Sequence, residues 1–281
     1  MVHDAQSLLS DVGFCTMFDI CVNIYSDRFD ADREQVLERA WNAGLNYISI
    51  TGSCLPSTEQ ALTYAQKFPQ KICATAGFHP HNAAEAEEYN GEPLNKMEQY
   101  IKENSFVKAI GECGLDYNRG FSPIDVQKRV FEKHVEWHKE YKKPLFLHQR
   151  DAFDDFVSIL TSNLPSTPIN GIVHCFTENK EKLRTVLDMG MYVGVTGWVC
   201  DPKRGVDLRE AVPYIPLDRL MIETDAPWLT PKDMRPKPHK GRNEPAFLAH
   251  ISQKIAELKG ISVDEIRRTT EENARRFFGF E

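Results

Sequence analysis

Eight short apolar runs alternate with longer segments of helical periodicity, and this alternation constrains the fold more than any other feature of the chain. The runs predict buried strands, because a strand covered on both faces has few polar positions. Strands that alternate with helices pair in parallel through right-handed crossovers. The predicted strands span residues 18–23, 46–51, 72–77, 107–112, 144–148, 171–174, 191–195 and 220–225.

The number of these units selects among the parallel folds. Eight strand–helix units in 281 residues predict an α/β protein with a single (β/α)8 TIM barrel. A doubly wound open sheet is the rival fold, but no Gly-x-Gly-x-x-Gly follows any predicted strand. Residues 244–278 predict extra C-terminal helices. We therefore predict one domain over residues 17–281, preceded by a flexible leader of residues 1–16.

The composition excludes several classes of protein. No apolar run approaches the roughly 18 residues that a membrane-spanning helix needs. The first seventeen residues contain no Lys or Arg, so they suit neither a secretory signal nor a transit peptide. Seven cysteines without a Cys-x-x-Cys pair favour reduced thiols over disulfides or structural zinc. These features predict a cytoplasmic or nuclear location and no membrane, and no obligate protein partner can be inferred from them.

Polar residues gather at one end of the predicted strands. Four strands end in Glu112, His148, His174 and Asp225. In a barrel these ends converge on the C-terminal face, where active sites are built. Imidazoles and carboxylates together form a mixed nitrogen and oxygen site suited to zinc, manganese or magnesium. A lone strand histidine is more often structural, but four candidate ligands at equivalent strand ends predict a divalent-metal site.

Other charged and aromatic residues need their own interpretation. Glu112 can bridge two ions, and Asp225 can bind a metal or accept a proton from water that the metal acidifies. His134 and His138 lie four residues apart in a helical segment, which is a spacing that metal sites use. Charged residues flank both of them, so we assign them to a solvated helix face and exclude them from the site.

Motifs at these strand ends resemble those of the TatD deoxyribonucleases. The resemblance runs from about Met17 to the C-terminus, and its motifs are ordered and correctly spaced. It implies a metal-dependent barrel of the amidohydrolase superfamily that cleaves DNA phosphodiesters, often as a 3′-to-5′ exonuclease on single strands. The matching motifs are Phe18–Ile20 with Asn23, Ala76–His81, Ile110–Asp116, Leu147–His148, Val173–Phe176, Glu223–Pro227 and Arg242–Pro245.

The same resemblance implies roles for individual residues. His79 corresponds to a residue that contacts the scissile phosphate or assists catalysis beside Glu112 and Asp225, and His81 of the same motif is a predicted phosphate contact. The implied cofactor is one or two divalent ions, with Mg²⁺ or Mn²⁺ favoured and Zn²⁺ as the alternative. The positions that match the family's metal ligands are Glu112, His148, His174 and Asp225.

Strand one departs from the broad family pattern Asp-x-His-x-His. The equivalent positions here are Asp19, Cys21 and Asn23, as in the subgroup named for TatD itself. The departure leaves Glu112, Asp225 and water for a first metal, which favours Mg²⁺ or Mn²⁺ over a closed zinc cage. Whether one ion or two act together is left open.

The net charge of −7 means that a polyanion must be held by local contacts rather than by the whole surface. A basic loop after the eighth strand predicts contacts from Lys237, Lys240 and Arg242 to single-stranded DNA or DNA ends. Trp198 is a predicted platform for base stacking. Arg150, two residues past His148 in the sequence, is a predicted phosphate contact because a guanidinium binds phosphate bidentately.

Two other functions remain open at this point, because barrel and metal do not determine the substrate. The same site could hydrolyse a carboxylic ester, as in an aminoacyl-tRNA deacylase. The chain could also be a nucleic-acid-binding scaffold with vestigial catalysis, for which the missing strand-one histidines are the only support. The choice between DNA and RNA, the cleavage polarity and the oligomeric state are also left open.

Overall fold

The computed structural model describes residues 16–280 except residue 167. In this part of the chain, eight parallel strands form one sheet in chain order. Each strand begins within one residue of its predicted start. The fourth strand continues four residues past its predicted end at Glu112. The predicted leader lies outside the described residues, Thr16 excepted. The strands are β1 Met17–Val22, β2 Leu45–Ile50, β3 Ile72–Ala76, β4 Val107–Asp116, β5 Leu145–Arg150, β6 Gly171–Val173, β7 Tyr192–Val195 and β8 Leu220–Ile222.

The sheet closes where the end of β8 meets β1. The N–H of Asp225 donates to the carbonyl of Cys21 at 2.9 Å. The buried carboxylate of Asp19 adds to this closure, since it accepts hydrogen bonds from the N–H of Thr224 at 2.9 Å and from its hydroxyl at 2.5 Å. Burial raises the pKa of Asp19 well above its ordinary value. The predicted (β/α)8 barrel is confirmed.

Helices cover the outside of the barrel. Two C-terminal helices follow the eighth strand, as predicted. The second of them packs the ring of Phe278 against that of Phe18 in β1, with the ring centroids 5.3 Å apart. No helix among the described residues is both long and apolar enough to cross a membrane. The α-helices in the described part are α1 Arg33–Asn42, α2 Leu55–Lys67, α3 Ala83–Ala86, α4 Glu92–Glu103, α5 Ile124–Tyr141, α6 Phe153–Asn163, α7 Lys180–Asp188, α8 Val206–Ala211, α9 Leu248–Lys259 and α10 Val263–Phe278.

His134 lies in the core, so the predicted solvated helix face is wrong for this residue. Its Nε2 accepts a hydrogen bond from the N–H of Phe78 at 3.0 Å, and its Nδ1 donates to the carbonyl of Val130 at 2.7 Å. Burial lowers the pKa of His134 to about 4. His138 is also half-buried, with Nδ1 at 2.7 Å from the carbonyl of Lys143. Charged sequence neighbours misled the prediction because successive residues of a helix point in different directions.

We expect His134 to make the stability of the fold depend on acid. Its pKa of about 4 lies below the ordinary 6.5, so the unfolded chain takes up the proton first and stability falls between pH 6.5 and pH 4. The loss reaches about 2 kcal/mol by pH 5. His134→Gln has no imidazole to protonate, so this loss of stability should be absent from the variant. The difference in unfolding free energy between variant and wild type should therefore narrow from pH 7 to pH 5. Urea denaturation at the two pH values measures this, and an unchanged difference would contradict a buried neutral imidazole.

Candidate active site

Glu112 lies at the centre of a cluster of imidazoles. Its Oε1 is 2.7 Å from His174 Nε2, 2.9 Å from His148 Nδ1 and 3.3 Å from His79 Nε2. The two ring nitrogens of His148 and His174 that face Glu112 are 3.4 Å apart. These residues come from the ends of β3, β4, β5 and β6, so parallel strands of one barrel bring them together. The structure therefore unites four of the predicted site residues.

The charges in this cluster support one another. Burial raises the pKa of Glu112, but the neighbouring imidazoles of His79 and His174 outweigh it, and the pKa lies well below its ordinary value. Burial lowers the pKa of His174, yet the carboxylates of Glu112 and Glu223 hold it well above its ordinary value. For His148, the neighbouring carboxylates of Asp116 and Glu112 overcome burial and raise the pKa. The cluster is therefore a place where positive charge is stabilised.

Several buried polar atoms of this cluster have no hydrogen-bond partner in the part of the chain that the structure describes. They are His148 Nε2, His174 Nδ1 and Glu223 Oε2. A buried polar group without a partner costs free energy, so such groups in a native fold call for an explanation. Imidazole nitrogens and carboxylate oxygens are the ligands that divalent metals take in proteins. The residues present fit a divalent cation, and two groupings lie within ligand distance: His79 with Glu112 and His148, and Cys21 with His174 and Glu223.

Asp225 follows β8, and its side chain lines a cavity together with Glu112 and the clustered histidines. Its φ of 55° is uncommon for a residue other than glycine, and such conformations concentrate at functional sites. The amide of Asn23 donates to its Oδ1 at 3.0 Å, and the thiol of Cys21 lies 3.5 Å from the same oxygen. Two of the strand-one positions that depart from the family pattern thus hold Asp225. Burial raises the pKa of Asp225 to about 7, although the positive charge on His174 opposes this.

Sequence reasoning missed two buried carboxylates of the site. Asp116 Oδ2 lies 2.7 Å from His81 Nε2 and 3.6 Å from His148 Nε2, and these partners hold its pKa well below the usual range despite burial. Glu223 accepts a hydrogen bond from the N–H of Cys175, and its Oε2 is 3.5 Å from His174 Nδ1. Their positions at strand ends could have found both, because Asp116 is the last residue of β4 and Glu223 directly follows β8.

A cavity of about 750 Å³ opens over these groups. Besides the clustered residues, His81 and Arg150 line it, so the structure places two of the predicted phosphate contacts there. It also adds Arg119 and the exposed rings of Phe121 and Trp228, which are 65% and 49% exposed. These three lie in loops whose composition carries no signal of their position.

The other predicted substrate contacts do not line this cavity. The side chain of Trp198 is already engaged, since the guanidinium of Arg204 stacks over its ring at 4.2 Å. Arg242 binds both carboxylate oxygens of Asp32 at 2.6 and 2.7 Å and Glu244 at 2.7 Å. Both side chains are used in internal contacts and lie away from the active-site cavity, so their predicted contacts with the substrate stay a prediction.

The two predicted lysine contacts also lie apart from the active-site cavity. Lys240 borders a separate cavity of about 570 Å³ together with Arg242. Lys237 is exposed and lines neither of these two cavities. Contacts of Lys237 and Lys240 with a strand that extends beyond the active site stay a prediction.

A (β/α)8 barrel with imidazoles and carboxylates gathered at the C-terminal ends of its strands defines the class of protein: a barrel hydrolase whose site can hold a divalent cation. The sequence model of the family described as TatD related DNase matches residues 18–279. This chain belongs to the TatD-related DNase family, and it is an enzyme of the hydrolase class.

Similar proteins agree with this assignment. The 3′-5′ ssDNA/RNA exonuclease TatD of Pectobacterium parmentieri is 46% identical over 262 residues, which cover 93% of this chain and 99% of the relative. The protein of the same name from Erwinia amylovora is 45% identical over 263 residues, covering 94% and 100%. Among solved structures, the TatD family hydrolase of Entamoeba histolytica superposes with a TM-score of 0.85 at 27% identity, covering 95% of this chain and 99% of that one.

Proposed function

We propose that this protein is a metal-dependent 3′-to-5′ exonuclease that hydrolyses the phosphodiester bonds of single-stranded DNA. The observation that carries the proposal is the convergence of three imidazoles on Glu112 in a cavity that also contains two guanidinium groups and two exposed aromatic rings. Relatives of 44–47% identity are named 3′-5′ ssDNA/RNA exonucleases, and their name supports the strand state and the polarity.

The proposed metal ligands are the four residues at equivalent strand ends, with one or two ions bound. A bound divalent cation acidifies water and offsets the charge on the phosphoryl oxygens. The many carboxylate oxygens favour Mg²⁺ or Mn²⁺, and the imidazoles keep Zn²⁺ as the alternative. Glu223 Oε2 and Asp116 Oδ2 face the outer ring nitrogens of His174 and His148 at 3.5 and 3.6 Å, and their negative charge favours a proton on those nitrogens, which leaves the inner nitrogens for the metal. The proposed ligands are Glu112, His148, His174 and Asp225.

Two further groups handle protons and the scissile phosphate. Asp225 is the proposed general base where the other three ligands hold the ion, because the pKa of its unliganded carboxyl is about 7. A cation bound directly to Asp225 would lower this pKa and leave it the role of a ligand. His79 is neutral, since burial lowers its pKa to about 4. Its Nδ1 accepts a hydrogen bond from the N–H of His81 at 3.0 Å, so Nε2 carries the proton. That N–H faces Glu112 Oε1 at 3.3 Å, and it is the proposed donor to a phosphate oxygen when Glu112 binds the cation.

The walls of the cavity suit a single strand. Arg119 and Arg150 line it, and a guanidinium binds phosphate with two hydrogen bonds. The guanidinium of Arg28 covers one face of the Trp228 ring, at 5.2 Å from its centroid. The exposed ring of Phe121 and the other face of Trp228 offer surfaces on which unpaired bases can stack. These local contacts explain how a chain with a net charge of −7 can hold a polyanion.

A cleavage assay on three substrates tests the proposal. We expect a 5′-labelled single-stranded DNA to be shortened stepwise from its 3′ end with Mn²⁺ and not with EDTA, and a blunt duplex to be shortened more slowly. Hydrolysis of a charged tRNA without shortening of DNA would replace the proposal with the deacylase. Binding of DNA without cleavage under Mg²⁺, Mn²⁺ or Zn²⁺ would replace it with the vestigial scaffold.

The exposed rings provide a prediction on substrate affinity. Phe121→Ala and Trp228→Ala should each raise KM for single-stranded DNA by roughly 5- to 150-fold, because each lost stack removes about 1–3 kcal/mol, and kcat should change little. Tyr214→Ala is the matched control, since its ring is 63% exposed and does not line the cavity. Steady-state kinetics on an oligonucleotide measure the effect. A KM equal to that of the control would show that bases do not stack there.

A further inference from the structure

Cys200, Asp233 and His250 form a cluster of metal-ligand side chains outside the active-site cavity. Cys200 ends the short 3₁₀ helix Gly197–Cys200 after β7, Asp233 lies in the loop after β8, and His250 belongs to the first turn of α9. One ligand atom from each residue lies within 4.8 Å of the other two. None of the three lines the cavity over Glu112. The cluster is therefore a separate place in the fold.

Close packing of two loops brings the cluster together. A Cβ atom on Gly197 would meet the carbonyl oxygen of Leu229 at 2.3 Å, so glycine alone lets the segment after β7 lie against the loop after β8. That approach places Cys200 beside Asp233. His250 reaches the same carboxylate from α9, with its Nε2 at 2.7 Å from Asp233 Oδ1. Three segments of the chain thus meet at one point.

The surroundings leave these ligand atoms available. Cys200 is buried, with 3% of its surface exposed, whereas the side chains of His250 and Asp233 are 34% and 37% exposed. The cluster is closed on the thiol side and open to solvent on the other. Asp201 does not compete, because it accepts hydrogen bonds from the guanidinium of Arg204 at 2.8 Å and from two backbone N–H groups at 3.0 Å.

We propose that Cys200, Asp233 and His250 bind a Zn²⁺-type divalent cation that fastens the loop after β8 to α9. Thiolate and imidazole are the softer ligands that favour zinc, and a water completes the four positions that zinc prefers. On binding, the S–H bond of Cys200 breaks, its proton goes to solvent, and sulfur bonds the metal. The Asp233–His250 hydrogen bond is replaced by two bonds to the cation: the proton on His250 Nε2 is lost to solvent and Nδ1 takes one up, so the imidazole binds as a neutral ligand. This site is independent of the proposed nuclease function.

A cation at this point would lie between the sulfur of Cys200 and the carboxylate of Asp233 and attract both ligands. A cation at this site would fix the position of the loop after β8. The same loop carries Lys232, Arg235 and Lys237.

Cobalt(II) substitution of the metal-free full-length protein tests the proposal. A thiolate bound to Co²⁺ gives a strong charge-transfer absorption in the near ultraviolet, which imidazole and carboxylate ligands do not. We expect this absorption in the wild type, its loss in Cys200→Ser and a marked decrease in His250→Gln. Cys21→Ser is the matched control, because Cys21 lies within ligand distance of His174 and Glu223 at the active site and its loss should leave the absorption intact.

Three outcomes would overturn the proposal: no absorption in the wild type, absorption that persists in Cys200→Ser, or absorption that Cys21→Ser removes. Zinc retained after equilibrium dialysis gives a second measurement. His250→Gln should retain one equivalent of zinc fewer than the wild type. Because the side chain of His250 is partly exposed, the variant should fold and keep the wild-type circular-dichroism spectrum. Equal zinc content in the two proteins would contradict the site even if Cys200→Ser failed to fold.

Discussion

Glu112→Gln should lower the affinity of the active site for Mn²⁺ by roughly 100-fold or more, and turnover at limiting metal should fall with it. Even the groups that merely orient metal ligands contribute about 10- to 100-fold to affinity. Glu112 contributes more, because its Oε1 is the atom on which His174, His148 and His79 converge. The substitution keeps the size of the side chain and removes only the negative charge.

Titration of the nuclease activity with Mn²⁺ measures this prediction. Glu38→Gln is the control, since Glu38 is an exposed carboxylate on α1 that does not line the active-site cavity. Circular dichroism should show both variants folded. If Glu112→Gln is half-saturated at the same Mn²⁺ concentration as the wild type, Glu112 only accepts hydrogen bonds from the surrounding histidines and does not bind the metal.

Asp225→Asn should lower kcat by about 10²- to 10⁴-fold, which is the usual contribution of a general acid or base. Asparagine keeps a carbonyl oxygen that can accept the hydrogen bond from Asn23, so the position of the side chain should be retained. The carboxylate that accepts a proton is removed. The effect should therefore appear in the chemical step rather than in binding of the strand.

Single-turnover rates at saturating Mn²⁺ separate this loss from a loss of metal. Asn23→Ala provides the comparison, because it removes the donor that orients Asp225 and leaves the carboxylate, and its effect should be smaller. Recovery of the Asp225→Asn rate at high Mn²⁺ would identify Asp225 as a ligand without a base function. A rate within a few-fold of the wild type at every Mn²⁺ concentration would remove Asp225 from both roles.

The barrel and the centre of the site could be predicted from the sequence alone. Apolar runs with helical segments between them determine where buried strands lie, because hydrophobic period and length are local properties of the chain. Parallel strands in a barrel carry their C-terminal ends to one face, so Glu112, His148 and His174 had to approach one another once the topology was known. The structure shows them within 3.4 Å of each other.

The tertiary structure alone decided what surrounds that centre. Arg242 has a basic side chain in a basic loop, yet it binds Asp32, a carboxylate 210 residues away in the sequence. Phe121 and Trp228 reach the cavity through loops whose course depends on the packing of distant segments. His134 is buried in the core although its neighbours are charged. Strand positions follow from local hydrophobicity, whereas the environment of a loop or helix side chain depends on contacts between residues far apart in the chain.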